Sequence, residues 1–406
     1  MKKRKLCRIC KGSKFKKVLD MGLNPLVNSL IEKKDLTGVE PVYPLEVVRC
    51  CDCSLVQLKN PIDSHQIYTA QDYLYFTGDM PTTSQYFQEF VEELEKMVDL
   101  KHDDLVVEIG SNDGTMLKFF HSLILGVDPS TNVVIRAMKN SVPTLSAPFN
   151  ENNAKNILKE FGPAKVIGGA NCIAHIDDLD GVMNGVKALL AEDGVFWVEC
   201  NYWGGMIKNK NYSLVYHDHF SYFSLKNWVD YAGKFSLNVF DAYVTEAQGG
   251  SLRVFMSKKP LDKTGRVMSL VEEEEVLGTN TLKVAKQYEA DCLEEAKKLH
   301  DLVSSLKEEG KKVAGYGAAA KGFSILKLAG INQNHIDYFV DDSPAKQGKY
   351  TPVDHIPVIS REEAESSLPD YFFITAPNYA PQIIAKEQEF LKNGGKFILA
   401  SGEIVG

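Results

Sequence analysis

Runs of mostly apolar residues, each closed by glycine or by polar turn residues, recur along the chain. They fall at Leu105–Ile109, Leu125–Asp128, Ala164–Asn171 and Gly194–Asn201, and again at Lys312–Gly317, Ile336–Asp342, Tyr371–Thr375 and Gly395–Ala400. Such runs read as strands buried on both faces, as in parallel sheets covered by helices. Between them the period lengthens, and Thr82–Val98 and Thr115–Ser122 read as helices. The stretch 272–307 opens with four glutamates, is rich in Lys, Leu and Ala, and reads as a long helical bridge with a solvated face. Residues before about 70 offer only short candidate strands, Leu45–Arg49 and Leu55–Leu58, and Gln248–Phe255 reads as a glycine turn entering an amphipathic strand. The fold class expected is α/β: a central Rossmann-like domain over 71–258, a small module over 1–70, and a second Rossmann-like unit with its bridge over 259–406.

Composition narrows this little. A chain of 406 residues needs more than one hydrophobic core, and 44% apolar with 25% charged residues is ordinary for a soluble globular protein. Net charge is −8 and no basic stripe forms, so nucleic acid is not expected as a partner. No run approaches the roughly 18 apolar residues that span a membrane, so no membrane partner is expected. The basic start, Met1–Lys5, resembles that of a signal peptide, but Cys7–Lys11 stands where an apolar segment would follow. A cytoplasmic protein is expected, with cysteines as thiols or metal ligands rather than disulfides. No coiled-coil seam is visible, and a monomer is expected.

Two features carry chemistry on spacing alone. Cys7-x-x-Cys10 and Cys50-x-x-Cys53 form two knuckles that bring four thiolates onto one ion, a closed structural zinc site in a zinc-ribbon-like module. Cys51, between ligands, points away; a dithiol redox role is the rival reading. The second feature is Glu108-Ile-Gly110-Ser-Asn112-Asp-Gly114, a strand-to-helix turn with Asp128 at the tip of the next strand. Asp128 is placed to take both hydroxyls of a ribose. Gly110 and Gly114 are read as glycines because the backbone passes close under a ligand. The turn is acidic and polar where a pyrophosphate wants bare amides, which suits a ligand with an ammonium and a sulfonium.

Several other segments are candidates. Ala170-Asn-Cys-Ile-Ala-His175 ends a strand on the ligand-collecting side of the sheet. Tyr216-His217-Asp218-His219-Phe-Ser-Tyr222 holds two of the nine histidines. A His-x-His metal pair is conceivable there, but a histidine general base with a nearby carboxylate is the better reading. Tyr75, in a run of aromatics after Asp72, packs between domains or meets substrate. Asn28, beside Pro25, sits in a loop that would meet substrate if the N-terminal module faces the site. Arg253 offers a fork suited to a diphosphate. Gly315-x-Gly317 with Lys321 resembles a dinucleotide turn, so an NAD-dependent oxidoreductase stays open, as does a non-enzymatic zinc-ribbon binding module.

The Glu108–Gly114 pattern resembles the first motif of the S-adenosylmethionine-dependent methyltransferases. Taken in order, the cysteine knuckles, Glu108–Gly114, Ala170–His175, Tyr216–Tyr222, Gly249–Arg253 and Gly315–Gly322 with Val340-Asp341-Asp342 resemble the sugar C-methyltransferases over nearly the whole chain. Those enzymes act on nucleotide-linked 4-keto-deoxysugars. The resemblance implies a methyltransferase domain between a zinc module and a C-terminal Rossmann-like domain that binds no NAD and helps to enclose the sugar nucleotide. It implies methyl transfer to carbon, C-3, through an enolate; transfer to oxygen is the alternative within the class. It further implies His219 as base, His175 in support, and Tyr216 and Asp218 in the catalytic segment, with Asp218 shorter by one methylene than the family glutamate. S-adenosylmethionine would be held by Glu108, Gly110, Asn112, Gly114, Asp128 and Ala170. The sugar nucleotide would meet Tyr75, Asn28, Tyr222, Arg253 and Lys321. Zinc would sit on Cys7, Cys10, Cys50 and Cys53.

Overall fold

The structure is a computed structural model describing residues 4–27, 29–69, 73, 75–79 and 81–406. Asn28, a candidate substrate residue, lies outside the described residues. The central sheet has seven strands in the order Asn238–Thr245, Ser251–Ser257, Leu190–Asn201, Ala164–Ala170, Leu105–Ile109, Leu123–Asp128, Thr144–Ser146. The last five are parallel and the first two add antiparallel. The parallel strands therefore end on one edge, where Ile109, Asp128, Ala170 and Asn201 carry the chain into loops, and ligands collect at that edge of such sheets.

A second sheet, ordered Val358–Ile359, Phe339–Val340, Val313–Tyr316, Tyr371–Ile374, Lys396–Ile398, Ile404–Val405, builds the C-terminal Rossmann-like unit. The N-terminal module pairs Phe15–Asn24, Tyr43–Cys50 and Val56–Leu58, and its fourth strand is Ser221–Tyr222 from beyond the central sheet. Ile31–Glu32 pairs in turn with Lys349–Tyr350 of the C-terminal unit. A buried apolar cluster runs through all three parts, from Val47 and Val56 through Leu214, Val215 and Phe220 to Ile325 and Phe339. The segment 214–220 is thus clamped at a three-way junction.

Three element readings are corrected. Thr115–Ser122 is no α-helix but a single 3-10 turn, Leu117–Phe119. Thr115 Oγ1 donates to Asp113, and so short a segment does not overcome the cost of helix nucleation. The long helix is two, Gly265–Leu277 and Leu282–Glu308. Gly278, at φ +68, caps the first and the Thr281 hydroxyl caps the second. Ser251–Ser257 is buried at every position rather than amphipathic, because it lies inside the sheet between two partners.

Candidate active site

In the N-terminal module the knuckle geometry is that of an ion site. The four sulfurs lie within 4.8 Å of one another, with Cys7–Cys53 at 3.5 Å and Cys10–Cys50 at 3.4 Å. Zn–S bonds of about 2.3 Å in a tetrahedron place sulfurs about 3.8 Å apart, far from the roughly 2 Å of a disulfide. The Gly12 and Asp52 amides donate to Cys10 and Cys50, and Gln57 Nε2 donates to Cys7 at 3.1 Å, donors suited to thiolates. Cys51 is exposed.

At the first strand edge, Asp128 accepts from the Asn112 and Ser130 amides through its two oxygens, and the second lone pair of each stays available for ribose hydroxyls. Glu108 is buried and its Oε2 has no hydrogen-bond partner among the described residues. Burial first, then Asp128 and Asp113, hold its carboxyl well above the usual range. An ammonium is the group such an orphaned acceptor among acids fits, and the donor's methionyl end carries one. The glycines have another cause than close ligand approach. A Cβ on Gly110, at φ +66, would meet Cys172 at 2.5 Å, and one on Gly114, at φ +77, would meet Val142 at 2.7 Å. Left-handed backbone and protein packing fix both.

Over this loop lie Tyr73 and the segment 75–79, a strap. Asn112 spends its side chain there, donating to the Tyr75 carbonyl and accepting from the Thr77 amide. Gly78 bonds Asp113, Asn132 bonds Tyr73 through main-chain N–H and C=O, and Asp79 pairs with Arg136. The strap brings Tyr73 within electrostatic reach of Asp128 and Asp218, and Tyr75 within reach of Tyr216 and Asp113.

The loop 212–220 carries the histidine segment and touches the strand ends through Asn201 and His175. The Phe220 amide donates to the Ala174 carbonyl, tying this loop to that of His175, and Ser324 Oγ donates to the Val215 carbonyl from the C-terminal unit. His219 has Tyr216 at 4.0 Å and His175 at 4.8 Å between ring centroids. Its Nδ1 lies 2.6 Å from the Leu214 carbonyl oxygen, which can only accept and so sets the proton on Nδ1; Asn201 Nδ2, 2.8 Å from the same nitrogen, then makes no hydrogen bond to it unless the amide turns its oxygen there. The lone pair is thereby left on Nε2. Burial lowers the pKa of His219 well below the ordinary value, with His175 and Lys321 adding to it. Burial also pushes His175 down to about 4, so both rings are neutral at pH 7. Asp218 has no hydrogen-bond partner among the described residues, and burial pushes it up to about 7. Lys321, in the first turn of Ala320–Ala329, is pushed down to about 7 by burial.

Three candidates sit elsewhere than the spacing implied. His217 turns away from His219 towards Tyr43, fully buried, so the two do not form a metal pair. Tyr222, also fully buried, faces the Leu214 carbonyl at 3.5 Å and braces the loop from behind. Arg253 does not offer its fork to the crevice: Glu199, Tyr86 and Tyr243 take its donors, and Phe90 lies 3.6 Å under it. Asp341, the C-terminal counterpart of Asp128, accepts from the Ala318 and Ser343 amides and is additionally capped by Lys346. Two residues of the site escaped the sequence reading, Tyr68 and Asn201, while Tyr73 belongs to the aromatic run after Asp72. Asn201 ends a parallel strand, the signal that marked His175; Tyr68 has none.

Comparison with known proteins adds to this geometry. The chain matches models of a zinc binding domain over residues 7–68, a methyltransferase domain over 83–241 and a C-methyltransferase C-terminal domain over 246–401. It is 36% identical to the C-methyltransferase NovU of Streptomyces niveus over 97% of this chain and 94% of that protein. Among solved structures it is similar to an S-adenosylmethionine-dependent methyltransferase of Clostridium acetobutylicum, at 13% identity over 44% of this chain and 92% of that one, TM-score 0.36. It is also similar to magnesium protoporphyrin IX methyltransferase of Synechocystis with bound SAH, at 13% identity over 48% of this chain and 93% of that one, TM-score 0.36. With the cysteine tetrad, the acidic first loop and a match along nearly its whole length, the chain belongs to the S-adenosylmethionine-dependent C-methyltransferases that open with a zinc-binding domain.

Proposed function

We propose that the chain methylates carbon, at C-3, in a nucleotide-linked 4-keto-deoxysugar, with His219 as the base. The observation that carries this is the pinned imidazole. Nδ1–H of His219 is held by the Leu214 carbonyl, so Nε2 is left unprotonated and the ring is neutral at working pH. A C–H bond beside a ketone is acidic because the electron pair it leaves spreads onto oxygen. Nε2 would take that proton. Tyr216 and His175, beside the same ring, would donate to the oxygen, and such preorganised donors are worth about 3 kcal/mol each in a water-poor site. Glu108, Asp128 and the Gly110–Gly114 turn would hold S-adenosylmethionine, which would supply the electrophilic methyl, its S–CH3 bond breaking to leave S-adenosylhomocysteine. Tyr73, Tyr75 and Lys321 would meet the sugar nucleotide. The Lys346 cap on Asp341 supports a C-terminal unit that encloses substrate instead of binding NAD.

The test uses S-adenosylhomocysteine in place of the donor, with a panel of 4-keto sugar nucleotides in deuterium oxide. C-3 hydrogen exchange is expected in the wild type and lost in His219→Asn, with S-adenosylhomocysteine affinity unchanged. Exchange that persists in the variant excludes His219 as the base. Exchange at C-5, equally acidified by a 4-keto group, would move the methyl to that carbon.

A further inference from the structure

Tyr68 ends the short helix Ser64–Tyr68, in the part of the chain matched by the zinc-binding model, and the reaction proposed above gives it no part. Its hydroxyl lies 2.9 Å from Nδ1 of His175. The two rings are inclined by only 17°, and Tyr73 packs against Tyr68 at 5.4 Å. Burial holds the phenol well above its ordinary range, so its proton stays on at neutral pH. A phenol and a neutral imidazole nitrogen meet best in one way, with the O–H donating and the ring lone pair accepting. The lone pair of His175 is then at Nδ1 and its proton at Nε2. His219 carries the reverse assignment, since its Nδ1–H donates to Leu214. Two imidazoles 4.8 Å apart are therefore held as opposite tautomers, one offering an N–H and the other a lone pair.

We propose that Tyr68 is a positioning residue whose hydroxyl holds His175 as the Nε2–H tautomer, so that His175 donates to the substrate oxygen while His219 accepts the proton from carbon. The proposal rests on the function given above. The balance is simple: the C–H electron pair moves into the carbonyl system, the proton goes to Nε2 of His219, and the charge gathers on the oxygen that Nε2–H of His175 faces. A His175 ring in the other tautomer would present a lone pair to that charge and repel it. Without the phenol the ring distributes between both forms.

The experiment compares wild type with Tyr68→Phe, which removes one oxygen and keeps the ring. The full, zinc-loaded chain carries 15N-labelled histidine, and the assays use S-adenosylhomocysteine and the active 4-keto sugar nucleotide. Expected results are a wild-type spectrum with His175 protonated at Nε2 and a mixed tautomer in the variant. Exchange should slow about tenfold, the loss of one well-placed hydrogen bond, with S-adenosylhomocysteine affinity within about twofold. In a His175→Phe background the Tyr68→Phe change should cost nothing more. Wild-type His175 protonated at Nδ1 overturns the proposal without any variant. So does a tenfold loss that persists when His175 is already gone. The spectra need no sugar, so the tautomer is decided even if His219→Asn keeps its exchange and the enolate reading fails.

Discussion

Replacing Arg253 by methionine separates two roles that the sequence leaves open for this residue. In the structure its guanidinium gives two hydrogen bonds to Glu199, at 2.6 and 3.0 Å, and one each to Tyr243 and Tyr86, at 2.8 and 2.7 Å. The side chains of Arg253 and Glu199 are 4% and 0% exposed. Methionine fills much of the volume but leaves a buried carboxylate whose remaining partners are the Tyr86 hydroxyl and the Asn171 amide. Breaking a buried pair from one side costs about 3–5 kcal/mol, a large part of the roughly 5–15 kcal/mol that holds a domain together. Replacing both partners by apolar residues costs less, because no charge is stranded. Urea unfolding followed by tryptophan fluorescence reads this out. Trp197, stacked edge-on to Phe90 at 4.7 Å beside the pair, reports on that region. Arg253→Met should lower the midpoint sharply, and Glu199→Met/Arg253→Met should recover part of the loss. A variant within about 0.5 kcal/mol of wild type whose KM for the proposed sugar nucleotide rises more than tenfold would refute this account and restore Arg253 to a diphosphate.

Two further outcomes follow from the junction around the loop 214–220. His217 is fully buried, its ring nitrogens make no hydrogen bond among the described residues, and burial pushes its pKa down to about 4. Because the unfolded chain binds this proton from about pH 6.5 downwards and the folded chain resists it, the stability due to a neutral His217 is present above about pH 6.5. It is lost as pH falls towards 4. His217→Phe should therefore flatten the decline of the melting temperature between pH 7 and 5, and a decline as steep as in wild type would contradict this. Zinc removal should reach the active site through the strand pair that joins Val56–Gln57 to Ser221–Tyr222, and through Arg8, which bonds both Gln57 and Asp177. Chelation, or Cys10→Ser with metal analysis, should abolish exchange while S-adenosylhomocysteine binding falls by less than about threefold; full activity in metal-free protein would sever that link.

Local chemistry made much of this protein legible from its sequence. Apolar runs closed by glycines define the strands, since a strand buried on both faces admits few polar residues, and only where they find a partner, as Glu199 and Arg253 do. Cysteine knuckles define the metal site, since two thiolates two residues apart already face one point. The order of motifs carried the family, and that order survives along the chain. What the sequence could not contain is pairing at a distance. Whether Arg253 meets a phosphate or Glu199, whether His217 faces a metal or Tyr43, and which hydroxyl touches His175 depend on which strands lie side by side. Partners such as Tyr68 and His175 stand more than a hundred positions apart, and no period or spacing joins them. Only the closing of three units around the loop 214–220 brings those atoms within hydrogen-bond reach, because burial there removes water and leaves each polar group to find its partner in the protein.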